Sequence, residues 1–548
     1  MPSPRRHNRA ILRGLAGSLN FWLLVVYFLG FGLFFAGMPK YIDDYWHIQE
    51  LRPWFESQGL GSPEGGNILT AGVPWKEILS TWEWRYQYDN LRLTTMLVVF
   101  FLILPKWVGS LLSLGFWVYA VIRGLRLAGV EVLRSPLVPW ALVAYYVLMP
   151  WSVCMGSVTY QFSYLVASGL SVWLLSRILR SGKGNWWTAG TVLLGFVTGW
   201  WHEGFGLPLC CGVIVIVMLR KENREAAIFA LAGLVAGTLL NVLSPGLLGR
   251  GEAQLPRMLL NWGTMQGLMW QEWMFWVGLV LLVVGLTSRK WRVRNKGKLW
   301  IWYMPMICLS SMALLVLIPQ GARVGWACAL FSVPWSLGLL GTLIRRATAR
   351  YNPVRAIAGV AVCLPVYAGL ALTGAESLRL RGVHAQLVKD AQEHPDESGF
   401  FGDYKYIRDL SPLMLKMPQE SFYTSGTRFL SHYIRDFRTA DMTMRIYCIP
   451  RELEYVTAES GEPVPGEGGF RRIGNKYFAP CPDDMEGLVP GKIYLDFGKG
   501  YTSCYCFVGE FKSKGDGKTY IFMEPTLGWY VTYFKNIKRL GRIYLPED

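Results

Sequence analysis

Acid is scarce in the first 374 of the 548 residues, where 14 Asp and Glu stand against 32 Lys and Arg. Residues 375–548 are near neutral, with 24 acidic and 23 basic side chains. Charge is sparse throughout, at 17% of the chain against 52% hydrophobic residues. That balance excludes a single soluble domain, and the apolar residues are too regularly grouped for a disordered chain. No small-residue cleavage site follows the first apolar run, so Leu19–Met38 reads as an uncleaved anchor with Arg5, Arg6, Arg9 and Arg13 inside. The basic residues form no separate patch, which argues against a nucleic-acid partner. Nor does any stretch repeat, which argues against a carrier built from two related halves.

What is present is a series of apolar runs: 19–38, 92–122, 137–151, 160–176, 186–200, 203–219, 226–243, 272–288, 299–318, 325–344 and 356–374. Some are short for a full crossing, so tilted or broken helices are expected. Pro105-Lys106 divides 92–122, which reads either as one long broken helix or as a pair. Basic clusters separate the runs: Arg123/Arg126/Arg134, Arg177/Arg180/Lys183, Arg220/Lys221/Arg224, Arg289 to Lys298 and Arg345/Arg346/Arg350/Arg355. Placing all of them inside requires an odd number of crossings within 92–122. The count is then 11, against 12 if 92–122 is a pair, and residues after 374 lie outside. The predicted fold is a polytopic α-helical membrane protein of about 11–12 spans with a C-terminal α+β domain outside the cytoplasm. Its domains are 1–374, with 39–91 as a first external loop, and 375–548.

The polar residues of the membrane half fall on its external segments. Asp43-Asp44, beside His47, leave the first run together, and adjacent carboxylates cost energy unless a cation, proton or substrate uses them. The loop they open is rich in Trp, as an interfacial belt would be, and closes on Arg85, Asn90 and Arg92. His202-Glu203 sits at a turn with almost no loop, either as a mutually satisfied pair or as a second contribution to an Asp43-Asp44 site. Arg250, Arg257 and Arg323 lie on external turns, where a guanidinium suits phosphate and also suits plain solvation. Six cysteines lie in apolar runs and read as packing residues. Cys448, Cys481, Cys504 and Cys506 lie in the C-terminal part, where at least one disulfide is expected. That part reads as an amphipathic helix over 375–393 and then an antiparallel meander. Its strands are predicted at 492–499, 503–511, 518–523 and 529–535, with a turn at Gly515-Asp516-Gly517. It carries no nucleophile triad, phosphate loop or metal motif, and reads as a structural or substrate-docking cap.

Taken in order, the chain resembles the GT-C superfamily of integral-membrane glycosyltransferases, in particular bacterial members with an Asp-Asp pair soon after the first span. The matching pieces are Asp43-Asp44, Asn90-Leu91-Arg92, Tyr160 after Gly156-Ser157, His202-Glu203, Ser244-Pro245-Gly246 to Arg250, and Arg323. The resemblance implies a bacterial inner-membrane enzyme that moves a sugar from a polyprenyl-phosphate donor to a glycan, lipid or protein acceptor on the outer face. It implies a role for the Asp pair as general base or metal-binding group; from the chemistry of transfer, Asp43 reads as the base, with Asp44 orienting the acceptor or a divalent cation. Arg250 and Arg323 would hold the leaving phosphate, and Arg92, Tyr160, His202 and Glu203 would complete the substrate site. The competing classes are a transporter or flippase and an envelope polysaccharide polymerase or ligase.

Overall fold

The computed structural model describes residues 18–40, 44, 47, 51–57, 72–88, 90–151, 153–180, 184–220, 224–248, 269–317, 325–344, 353–393, 399–402, 411–415, 447–464, 469–474, 476–481, 488–496, 508–523 and 539–546. The chain divides into two compact units. The first comprises Met1–Gly37, Val73–Ala375 and Ser411–Leu415; the second comprises Met38–Gly72, Glu376–Leu410 and Lys416–Asp548.

The first unit is helical. Its helices are α1 (Leu19–Gly37), α2 (Trp75–Tyr88), α3 (Leu93–Leu102), α4 (Lys106–Leu127), α5 (Val138–Leu148), α6 (Val158–Leu179), α7 (Asn185–Trp201), α8 (Glu203–Leu219), α9 (Arg224–Val242), α10 (Trp273–Thr287), α11 (Arg289–Asn295), α12 (Trp300–Leu317) and α13 (Trp326–Leu343), followed by the first part of α14 (Pro353–Glu393). Among the described residues six helices are long and apolar enough to cross a membrane, or seven if the bent pair α10–α11 is one span. α3, α5, α8 and the described part of α12 are apolar but shorter.

Hydrogen bonds identify the two ends of this unit. At one, Asn20 Nδ2 donates to the carbonyls of Val132 (3.1 Å) and Ser135 (2.9 Å). At the other, Ser110 Oγ donates to Phe35 O at 3.2 Å, and the Lys106 ammonium donates to Gly156 O. α1 and α4 are therefore antiparallel and each runs the full distance. This resolves the run 92–122, which is neither one long helix nor a pair of spans. Pro105 stops the first segment, since the residue before a proline is pushed out of the helical region. α3 then folds back on α4: a Cβ on Gly109 would lie 3.7 Å from Phe101 Cβ, whereas eight residues of straight helix rise about 12 Å. Only α4 has spanning length.

α7 and α9 run parallel at very close range. A Cβ on Gly199 would meet Leu234 O at 2.2 Å, and one on Gly237 would meet Phe196 O at 2.1 Å. Gly195 and Gly233 are equally tight, at 2.5 Å from Ala230 O and 2.2 Å from Val192 O. Each helix thus presents a glycine pair four residues apart to the other's backbone, the spacing that lets apolar helices approach without a side chain between them. Gly199→Val or Gly237→Val should cost about 1–3 kcal/mol or more through overpacking. The expected readout is loss of the monodisperse folded species in size-exclusion chromatography. Gly115→Val, at a position with open space, should leave that peak unchanged; equal behaviour of all three would refute the interface.

In the second unit the described residues form small sheets. β1 (Gly399–Gly402) pairs in parallel with β2 (Tyr447–Pro450). β3 (Glu462–Pro463), β4 (Arg471–Ile473), β5 (Lys476–Pro480), β7 (Val508–Lys512) and β8 (Thr519–Met523) form an antiparallel sheet in the order β3-β4-β5-β8-β7. β6 (Leu488–Asp496) pairs with β9 (Arg539–Pro546) in a separate ladder. The strands predicted over 503–511 and 518–523 overlap the hairpin β7–β8, and that predicted over 492–499 overlaps β6, while 497–499 and 503–507 lie outside the described residues; because β6 pairs with β9 and not with β7, these strands do not form the single meander expected. Residues 529–535 lie outside the described residues. Gly517 takes φ 73° in the hairpin turn, and Tyr520 Oη donates to Asp516 at 2.6 Å, holding that carboxyl below its usual range. Ile449, Leu453, Val456, Phe478, Phe511, Tyr520 and Phe522 make the core. The parallel β1–β2 pair was not predicted, because its strands are four residues each and separated by more than forty. The side chains of Cys448, Cys504 and Cys506 lie outside the described residues, and so does the expected disulfide.

Candidate functional site

A polar cluster closes one end of the first unit. α7 stops at Trp201, His202 is extended (φ −162°, ψ 127°), and α8 starts at Glu203. His202 caps α8: its Nδ1 accepts the backbone N–H of Gly204 at 3.0 Å. In a neutral imidazole that accepts through Nδ1, the proton sits on Nε2.

Glu203, whose side chain is 5% exposed, is gripped from two directions. Arg92, the residue before α3, donates Nε to Oε2 at 2.7 Å and Nη2 to Oε1, a two-pronged pair. Asn241, on the last turn of α9, donates Nδ2 to Oε2 at 2.9 Å. The glycine contact described above makes this third bond possible: Asn241 lies one turn beyond Gly237, so bringing α9 against α7 delivers its amide to the carboxylate. Trp200 Nε1 donates to Leu91 O at 2.6 Å, tying the residue before Arg92 to the same turn.

An aromatic row leads away from the imidazole. Tyr164 lies 5.1 Å from the His202 ring, stacks on Tyr160 at 6.3 Å and 3°, and meets Trp326 at 5.3 Å. Tyr160 and Tyr164 stand one wide turn apart, because residues Gln161–Val166 are wound as a π-helix, a form that recurs at functional sites. Gly156 and Ser157 have local tasks at the entrance to this turn. Gly156 O accepts from Lys106 and Gln161, and Ser157 Oγ accepts the Tyr160 N–H at 3.2 Å.

Compared with known proteins, the chain matches no family model, no curated protein and no solved structure.

Of the residues singled out from sequence, the structure brings together Arg92, Tyr160, His202 and Glu203, through α3, α6, α7 and α8. Asp44 and His47 are buried and belong to the second unit. Asp43, Arg250 and Arg323 lie outside the described residues. Both oxygens of Glu203 are engaged, which gives it the character of a positioning group. Among the described residues no group of three His, Cys, Asp or Glu side chains could hold a metal ion.

Sequence reasoning missed Asn241 and Glu272. Asn241 is an ordinary residue near a helix end, and only the packing of α9 gives it a partner. Glu272 is 7% exposed, with Oε2 lacking a hydrogen-bond partner among the described residues. A Cβ on Gly325, at the head of α13, would lie 3.0 Å from its Oε1. The available signal was a single acid between Trp270 and Trp273 at the start of an apolar run.

Proposed function

We propose that the chain is an integral-membrane glycosyltransferase of GT-C type, taking a sugar from a polyprenyl-phosphate donor to a cell-envelope acceptor. The observation that carries this reading is the convergence of Arg92, Tyr160, His202 and Glu203 at one end of a mostly helical unit, with six helices of spanning length among the described residues. It is the end at which Phe35 nears the exit of α1, and Asp43-Asp44 begin eight residues later in the chain. On this reading the end faces outward, since the basic clusters between the other ends are retained inside.

Glycosyl transfer needs a base at the acceptor hydroxyl and positive charge at the departing phosphate. Glu203 is fully engaged, so the base role falls to Asp43, with Asp44 orienting the acceptor or sharing a divalent cation. Arg92 is spent on Glu203, so the phosphate falls to Arg250 and Arg323. The Tyr160–Tyr164 stack offers flat surfaces for sugar faces. Within the first unit, Arg92–Glu203 holds α3 to the α7–α8 turn.

The experiment is transfer of labelled sugar from a polyprenyl-phosphate donor in proteoliposomes. Arg250→Ala and Arg323→Ala should each lower the rate by about 10²-fold, as loss of one transition-state donor does. Arg→Lys should recover only part, because an ammonium lacks the planar fork. Movement of the lipid-linked sugar across the bilayer with no glycosidic bond formed would replace this reading with that of a flippase.

A further inference from the structure

At the end of the first unit opposite Arg92, α10 and α11 meet at 107°. α11 therefore lies nearly crosswise to a helix of spanning composition. Its orientation is pinned from one side. Trp291 is 4% exposed, donates Nε1 to Thr342 Oγ1 at 2.9 Å, and packs on the Cα of Gly285, where a Cβ would lie 2.8 Å from its ring. Asn295, one turn on, is buried and donates to Trp291 O at 3.0 Å. Arg294 Nη2 donates to Thr342 O at 2.6 Å. The place in the bundle is fixed by Gly338, one turn before Thr342, whose Cβ would lie 2.5 Å from Ala128 O. Ala128 follows α4 at the end marked by Asn20 and Val132.

With Trp291 and Asn295 turned inward, the rest of the segment faces out. Arg289, Lys290, Arg292, Arg294 and Lys296 are exposed, and Val293 stands among them at 74% exposure. No acidic residue occurs between Ser288 and Lys298. None of these five cations makes an ion pair among the described residues. A crosswise helix with an outward apolar side chain ringed by cations matches the layered chemistry of a headgroup region: phosphates at the level of the cations, acyl chain beneath Val293. An aqueous anion would match the charge but leaves the exposed Val293 and the crosswise orientation unused.

We propose that Arg289–Lys298 is a docking surface for anionic phospholipid headgroups, in the leaflet opposite the Arg92–Glu203 cluster. It is independent of the glycosyltransferase reading and survives that reading's failure. The test is to reconstitute the full chain in vesicles of phosphatidylcholine mixed with phosphatidylglycerol. After mild extraction, mass spectrometry measures the phosphatidylglycerol-to-phosphatidylcholine ratio retained by the protein. The wild type should enrich phosphatidylglycerol, and added salt should erode the enrichment. Each basic side chain near an anionic surface contributes roughly fivefold in affinity, so Lys290→Gln/Arg292→Gln/Lys296→Gln should lose at least about tenfold. Arg180→Gln/Arg224→Gln, which removes two exposed cations elsewhere, should keep the enrichment. An unchanged triple variant, an equal loss in the Arg180/Arg224 control, or enrichment in the wild type indifferent to salt would each overturn the proposal. So would full displacement of the lipid by glycerol phosphate in solution, which would mark an anion site and not a membrane surface.

Discussion

Glu203→Gln is expected to destabilise the protein by about 3 kcal/mol, while Arg92→Met/Glu203→Met recovers most of the loss. Removing one partner of a buried ion pair leaves the other charge uncompensated, at a cost of about 3–5 kcal/mol. The lower figure applies because the Arg92 side chain is one-fifth exposed and water relieves part of its charge. A glutamine could still accept from one donor, but it would turn an NH₂ toward Arg92 or Asn241, which already donate. Replacing both members by apolar side chains leaves no orphan charge, and such exchanges are often neutral. Thermal unfolding of the purified protein measures both variants. A single Glu203→Gln variant as stable as the wild type would show that the pair does not hold α3 to the α7–α8 turn. A double variant no better than the single would assign the loss to Asn241 instead. The same variants separate structure from chemistry: under the positioning role, transfer per folded molecule falls with stability and returns in the double variant.

Asp43→Asn should abolish most sugar transfer, by a factor on the order of 10² or more, with folding intact. The substitution keeps size and hydrogen bonding and removes the base and its charge. Asp44→Asn should reduce the rate less if Asp44 orients the acceptor, and equally if the two share a divalent cation. Chelation with titrated metal distinguishes those cases: the wild type loses activity on chelation only in the second. Asp43→Glu, which keeps the charge but displaces it by a methylene, should retain a small residual rate. Full activity in Asp43→Asn, with expression matched, would remove the base from the proposed mechanism.

How far the sequence could be read depended on the range of the interaction behind each feature. The helical runs were legible because hydropathy over about twenty residues is a local property, and each side chain contributes to it wherever its neighbours fold. The hairpin β7–β8 was legible for the same reason: Gly515-Asp516-Gly517 announces a turn by itself. The run 92–122 was not, although its Pro105 was visible. A proline says that a helix stops, while the direction of the next helix depends on what it packs against, here Val158 and Phe162 beside Gly109.

The site divides along the same line. By itself the sequence determined the membrane-like helical composition, the strand-rich C-terminal part, and the gathering of Arg92, Tyr160, His202 and Glu203 near the ends of apolar runs. Only the tertiary structure decided that Glu203 belongs to Arg92, 111 residues away, and to Asn241, 38 residues away. It also decided that His202 caps α8 through Nδ1, which stands 3.9 Å from its neighbour's carboxylate. The physical reason is that a buried charge accepts whichever donors the backbone brings to it. Those donors were delivered by the close approach of Gly195 and Gly199 to Gly233 and Gly237, a contact made by the absence of side chains.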